Sequence, residues 1–362
     1  APHTKKMRYI FMESYFLTRN QKTMEKLHAV LEELPDFCKT LFIGIQNTTG
    51  PLTRLNYAYD LRLFFHFLAE KLKKKTKEIT IEDLRTVTVH DIEDFINHIS
   101  LYANEDNKLV ENRENGRARK IASIRMMFKY FYKNGELQSN VAALVDLPKI
   151  HEKAIVRLDV DEVVRLLDAV ESGEGLSAKQ KRFHQLTKSR DLAMLTLFLG
   201  TGIRISECVG LNVDDVDFRN LSIRITRKGG NQTVLFINDE IAEALDSYCN
   251  NDRLEMKGAD SPALFLSLQG NRITTRAVEL LVKKYASIIT PLKHITPHKL
   301  RSTYGTNLYR ETGDIYLVAD VLGHKDVNTT RKHYAAMAEE NRRLAAQTIK
   351  LRDRDRTDKH LP

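Results

Sequence analysis

Two short runs of alternating residues constrain the fold of this chain more than any other feature. Leu221, Ile223 and Ile225 precede RKGGNQ, and Val234 and Phe236 follow it. A period of two closed by Gly229-Gly230 predicts a β-hairpin. Elsewhere the apolar spacing is helical. Tyr57, Leu61, Phe64, Phe65 and Leu68 recur at intervals of three and four, which predicts a helix from Thr53 to Lys73 opened by Gly50-Pro51. Further helices are expected from Met7 to Leu34 with a break near Asn20, then from Thr88 to Tyr102, Gly116 to Lys133, Asp159 to Glu171 and Arg190 to Leu199. The expected class is mainly α with one small β-sheet in the second half.

A length of 362 residues favours two domains. Helical periodicity fails at LPKIHEKAIV, a proline-bearing stretch that reads as a linker. The expected organisation is a helical extension (1–35), an all-helical domain (36–147), a linker (148–156), a second domain (157–340) and a C-terminal helix with a tail (341–362). No apolar run approaches the ~20 residues of a membrane span, and no secretory signal is visible, so a soluble cytoplasmic protein is expected. Cys38, Cys208 and Cys249 lie far apart without CxxC spacing, which predicts core residues rather than a zinc site or disulfides. No GxxxxGK[ST] loop implies ATP. Net charge is +9, shared by both halves, and suits a polyanionic partner.

The chemistry lies in an ordered set: Arg204 in TGIRISE, Lys228 in TRKGGN, His298 and Arg301 in TPHKLR, His324 in VLGHKD and Tyr334 in TTRKHY. Two guanidiniums suit the non-bridging oxygens of a phosphodiester, a lysine and two histidines can move protons, and a phenol can attack phosphorus. Two prolyl and glycyl signals place parts of this set. Thr296-Pro297 starts a helix on which His298 and Arg301, three apart, share a face. Gly200 and Gly202 interrupt an apolar helix, so Arg204 should open the next short one, with Glu207 three residues on. Cationic side chains near a helix N-terminus oppose its dipole unless an anion joins them.

In joint order, spacing and context these motifs resemble the tyrosine recombinases, the phage-integrase and Xer-like group of site-specific DNA recombinases, most strongly from Ile155 to Met337. The resemblance implies a two-domain DNA clamp in which an all-helical core-binding domain precedes a tyrosine-recombinase catalytic domain. It also implies roles. Tyr334 would be the nucleophile that forms a 3′-phosphotyrosyl linkage, His298 the general base, and Lys228 the acid for the departing 5′-hydroxyl. Arg204 and Arg301, helped by His324, would neutralise the developing charge, and Glu207 would orient Arg204 or a neighbour. Arg227 and Lys228 are adjacent, and the family pattern puts the lysine directly before glycine. Tyr304, Tyr309 and Tyr316 are weaker candidates for nucleophile. No metal or other cofactor is implied.

The implied partners are double-stranded DNA at specific recombination sites, a homotetramer on two duplexes joined through the C-terminal helix, and accessory DNA-bending proteins. The implied setting is the bacterial nucleoid. The biological job would be integration or excision of a mobile element, or Xer-type resolution. On the helix from Gly116 to Lys133, Ile121, Ile124, Phe128 and Phe131 form an apolar face. Its flank, Arg125, Lys129 and Lys133, with Arg117, Arg119 and Lys120 before it, is the expected DNA-backbone grip, against the plainer reading of a solvated edge. Lys71, Lys73, Lys74, Lys75 and Lys77 form a second basic cluster at a loop or helix end. Two other classes remain: a type IB topoisomerase-like enzyme and a non-enzymatic DNA-binding regulator.

Overall fold

The computed structural model describes residues 2–103, 109–149, 156–227, 230–324 and 326–327. The chain forms two compact units, Ala1–Lys153 and Ala154–Pro362, with the division inside the stretch read as a linker. Among the described residues no helix is long and apolar enough to cross a membrane.

The first unit contains α1 (Pro2–Leu31), α2 (Phe37–Gly44), α3 (Pro51–Leu72), α4 (Ile81–Thr86), α5 (Val89–His98), β1 (Leu101–Ala103), β2 (Leu109–Glu111) and α6 (Glu114–Lys133). Its core is aromatic: Phe37 packs edge-on against Phe65 and Phe131, and Phe64 against Phe95, with centroids 5.2–5.7 Å apart. Leu27, Val30, Leu31 and Leu34 join that core, which draws the end of α1 into it. Contrary to the expected break, α1 runs through Asn20, because asparagine inside a helix costs only tenths of a kcal/mol.

The first unit also departs from an all-helical reading. The helix expected to reach Tyr102 stops at His98, and Leu101–Ala103 pairs antiparallel with Leu109–Glu111. Asn112 explains the stop: its side chain donates to the Ile99 carbonyl (2.7 Å) and its backbone N–H to the Ser100 carbonyl (3.0 Å). Acceptors that a longer helix would have used are thus taken from a distance.

The second unit contains α7 (Val160–Ser172), α8 (Ala178–His184), α9 (Lys188–Thr201), α10 (Ile205–Gly210), β3 (Val216–Asp217), β4 (Ser222–Thr226), β5 (Gln232–Phe236), α11 (Asp239–Ser247), the single turn α12 (Arg253–Glu255), α13 (Thr275–Ile289), α14 (Pro297–Thr312) and α15 (Ile315–Leu322). The sheet is antiparallel in the order β3-β4-β5. The predicted hairpin is β4-β5, but its second strand faces the other way. Leu235 pairs with Ile223 and is buried, whereas Val234 and Phe236 are 52% and 80% exposed. In a strand of period two, the partner's register decides which alternate set faces inward. All three cysteines are free and buried.

A buried polar network holds α8, α9 and α13 together. The Asp191 carboxylate accepts from Lys284 (3.0 Å), Tyr285 (2.9 Å) and Thr187 (3.2 Å), and Arg190 pairs with its other oxygen (2.7 Å). His184, buried at 2% exposure, lies 3.2 Å from the Tyr285 hydroxyl. Burial lowers the His184 pKa from 6.5. Nearby Lys284 and Lys188 lower it further, and Asp191 and the Glu171 backbone oppose them.

The unfolded chain therefore holds a proton at His184 at pH values where the folded chain does not. Stability is full above 6.5 and is lost as pH falls through the depressed folded value. The melting temperature should drop as pH falls below 6.5. Calorimetry on His184→Gln should show a shallower drop; an unchanged slope would assign the acid sensitivity elsewhere.

Candidate active site

The last turn of α15 is the meeting point of the second unit. A helix leaves its final carbonyls without intrahelical donors. Two are closed locally: Gly323, in the left-handed region at φ 61°, donates to the Asp320 carbonyl (2.8 Å), and His324 N–H donates to that of Ala319 (2.9 Å). The next three carbonyls in sequence each accept from a different arginine. Arg227 donates to Val321 (3.2 Å), Arg301 to Leu322, and Arg204 to Gly323 (3.0 Å).

Each arginine arrives on a separate element for a local reason. Arg204 is the N-cap of α10, placed there because Gly202 (φ 61°) ends α9. Its backbone N–H and its guanidinium each donate to the Glu207 carboxylate at 2.9 Å. Glu207 is only 4% exposed at its side chain and Arg204 34%, so this is not a surface pair. Arg301 lies in α14, which starts as predicted with Thr296 capping and Pro297 first. Its buried guanidinium also donates to the Gly202 carbonyl, joining the end of α9 to the end of α15. Arg227 follows β4, and its N–H closes the hairpin turn on the Asn231 carbonyl (2.8 Å).

Of the residues singled out from the sequence, Arg204, Glu207, Arg301 and the backbone of His324 meet at this turn. His298 is exposed, one turn from Arg301 on α14. Lys228 and Tyr334 lie outside the described residues. Arg227 was passed over in favour of its neighbour, and only the pairing of distant elements reveals its contact with α15. Tyr304 is half-buried, and desolvation raises its pKa, which disfavours the phenolate; Tyr309 is buried and Tyr316 is 71% exposed.

Three guanidiniums and one carboxylate leave two positive charges in excess among these four side chains. Two like charges about 6 Å apart repel by roughly 3 kcal/mol at an effective dielectric near 20. The negative end of the α15 dipole offsets part of this. A phosphodiester is the kind of anion that such a cluster would draw, since guanidiniums match phosphate oxygens in pairs.

On α6 the apolar face is buried as predicted, but much of the basic flank is engaged within the protein. Arg119 donates to buried Asp60 (2.6 Å), Lys120 to Asn112 (3.0 Å) and Arg117 to Ser100 (3.2 Å). Arg125 donates to the Ala142 (3.1 Å) and Val145 carbonyls. Lys129 and Lys133 are exposed and have no ion pair among the described residues. In the second cluster Lys71, Lys74 and Lys77 pair with Asp91, Asp83 and Asp36.

Residues 156–341 match the model of the phage integrase family. A tyrosine recombinase XerC from Caldanaerobacter subterraneus subsp. tengcongensis is 30% identical over 345 residues, spanning 90% of this chain and 89% of its own. A tyrosine recombinase XerD from Staphylococcus haemolyticus is 30% identical over 218 residues, 59% of this chain and 69% of its own. The fold is similar to XerH site-specific recombinase bound to palindromic difH substrate in a post-cleavage complex (TM-score 0.63, 18% identity, 82% of this chain and 80% of that one). It is also similar to the Tn1549 transposon integrase in complex with circular intermediate DNA (TM-score 0.61, 20% identity, 84% and 98%).

The α15 cap makes a direct prediction. Gly313 and Gly323 both sit near φ +60°, but a methyl on Gly313 would meet nothing, whereas one on Gly323 would fall inside the Arg227 guanidinium. In urea melts Gly313→Ala should cost about 1–2 kcal/mol for the left-handed backbone alone, and Gly323→Ala distinctly more. Equal losses would show that Arg227 does not pack there.

Proposed function

This chain belongs to the phage integrase family of tyrosine recombinases, and on that premise we propose that it cuts and rejoins DNA at specific recombination sites through a covalent phosphotyrosyl intermediate. The observation that carries the chemistry is the convergence of Arg204 and Arg301 from separate motifs on the turn that leads into His324.

In this reading the scissile phosphate lies against Arg204 and Arg301, which stabilise negative charge as the pentacoordinate state develops. A phenol with a pKa near ~10 is a weak nucleophile at neutral pH. His298 therefore takes the Tyr334 proton as the Tyr334 oxygen bonds to phosphorus. The bond from phosphorus to the 5′ oxygen breaks, and Lys228 supplies the proton that completes the 5′-hydroxyl. His324 adds a further donor to the phosphate. The 3′-phosphotyrosyl bond retains the energy of the broken backbone, so the 5′-hydroxyl of a partner strand can displace Tyr334 without another energy source. The first unit, its exposed Lys129 and Lys133 leading, grips the DNA backbone. Exchange between two duplexes calls for four copies, which residues 341–362 would help to assemble.

The test is a nicked suicide substrate built from attachment sites flanking the gene, with an SDS-stable adduct as readout. Tyr334→Phe should abolish the adduct, and adduct persistence would move the nucleophile. Lys228→Ala should lose cleavage on ordinary DNA and regain it on a 5′-bridging phosphorothiolate, because a thiolate, with a pKa near ~8.5, departs without a proton. Failure of that rescue would remove Lys228 as the acid. Relaxation of plasmids of any sequence by single subunits would favour the topoisomerase-like alternative, and site binding with no adduct would favour the regulator.

A further inference from the structure

We propose that Arg227 is a positioning residue of the strand-cleavage centre, holding the Gly323-His324 turn in place and tying it to the end of β4, one residue before Lys228 in sequence. The inference rests on the functional reading above and goes beyond it, since it assigns work to a residue that touches neither phosphate nor nucleophile there.

Four observations carry it. The Arg227 guanidinium donates to the Val321 carbonyl at 3.2 Å, 94 residues away in sequence. It also covers the Cα face of Gly323, where no larger residue would fit beside it. Its backbone is fixed in the hairpin turn by the N–H bond to Asn231, so the side chain and the turn move together. Lastly, its Nε is buried without a hydrogen-bond partner, and no ion pair involves Arg227 among the described residues. A free surface arginine would turn to water rather than bury an unpaired donor. The packing over Gly323 keeps it there.

The consequence is mechanical. The ends of β4 and of α15 belong to separate elements, and each is followed in sequence by a side chain of the proposed mechanism, Lys228 or His324. Arg227 is a direct bond between them. Because a displacement of about 1 Å at a reacting centre can cost ~100-fold in rate, such a tie acts on the chemical step and not on DNA affinity.

The experiment measures single-turnover adduct formation and equilibrium site binding for the full chain and for Arg227→Ala, His324→Ala and the double variant. The proposal expects Arg227→Ala to slow cleavage by roughly 10–100-fold while site affinity stays within about threefold. It also expects the double variant to lose less than the product of the two single losses, because residues that act through one another are not additive.

A wild-type rate in Arg227→Ala, or losses that multiply, would overturn it. So would a weakened, less salt-sensitive affinity, with a slope shallower by about one, which would mark Arg227 as a phosphate contact instead. Should Arg227→Ala not melt cooperatively, Arg227→Lys takes its place, with a rate below that of the unaltered chain expected and a wild-type rate overturning the tie. Absence of any adduct in the unaltered chain would fell the recombinase reading first and this inference with it. An active unaltered chain with an indifferent Arg227→Ala would fell this inference alone.

Discussion

The architecture of the second unit turns on one problem, the unpaired carbonyls at the end of α15. Leu322 and Val318 anchor that helix in a small apolar cluster with Tyr309, so its end cannot swing into solvent to hydrate those carbonyls. Two are closed by the Gly323 turn and three by arginines from α10, the β4-β5 hairpin and α14. Hydrogen bonds from charged donors are worth about 1.5–3 kcal/mol each, against about 1 for neutral ones. The helix end is therefore a strong organiser of guanidiniums even without nucleic acid.

The same contacts explain how positive charges can be stored close together. Left to themselves, the guanidiniums would repel by several kcal/mol in total. The helix dipole offsets some of this, and Glu207, nearly inaccessible, offsets more while fixing Arg204 through two bonds of 2.9 Å. The residual positive field is then directed at whatever anion approaches the partly open Arg204. Pre-orientation of this kind lets charge stabilisation occur without reorganisation at the moment of reaction.

Local rules made much of this legible. Thr296 and Pro297 announced α14, Asp159 caps α7 at the predicted helix start, and Gly202 put Arg204 at the head of α10. What stayed hidden depends on partners remote in sequence. Asn112 ends α5 from fourteen residues beyond the helix, Leu235 and not Val234 or Phe236 faces inward because Ile223 opposes it, and Lys71, Lys74 and Lys77, in and after the last turn of α3, are met by aspartates from three other segments. Arg227 belongs to the same class. An arginine two residues before a turn glycine looks like solvent-facing charge until α15 is folded against it.

The polar network under α9 belongs to this argument rather than beside it. Asp191, Arg190, Lys284 and Tyr285 fix the first turn of α9 against α13, and the Arg190 guanidinium reaches the Leu266 carbonyl as well (2.7 Å). The far end of the same helix is Gly202, whose carbonyl accepts from Arg301. Buried ionic groups are rarely the most stabilising way to fill a core, and apolar residues of equal volume often serve stability better. Their advantage is directional: a carboxylate satisfied by four partners permits few positions of the helix that bears it. A rigid α9, pinned at one end by Asp191, therefore carries its geometry to the other, where Arg301 bonds to the Gly202 carbonyl and, one residue past Ile203, Arg204 opens α10; in the proposed mechanism these two guanidiniums are the groups whose placement phosphoryl transfer would tolerate least.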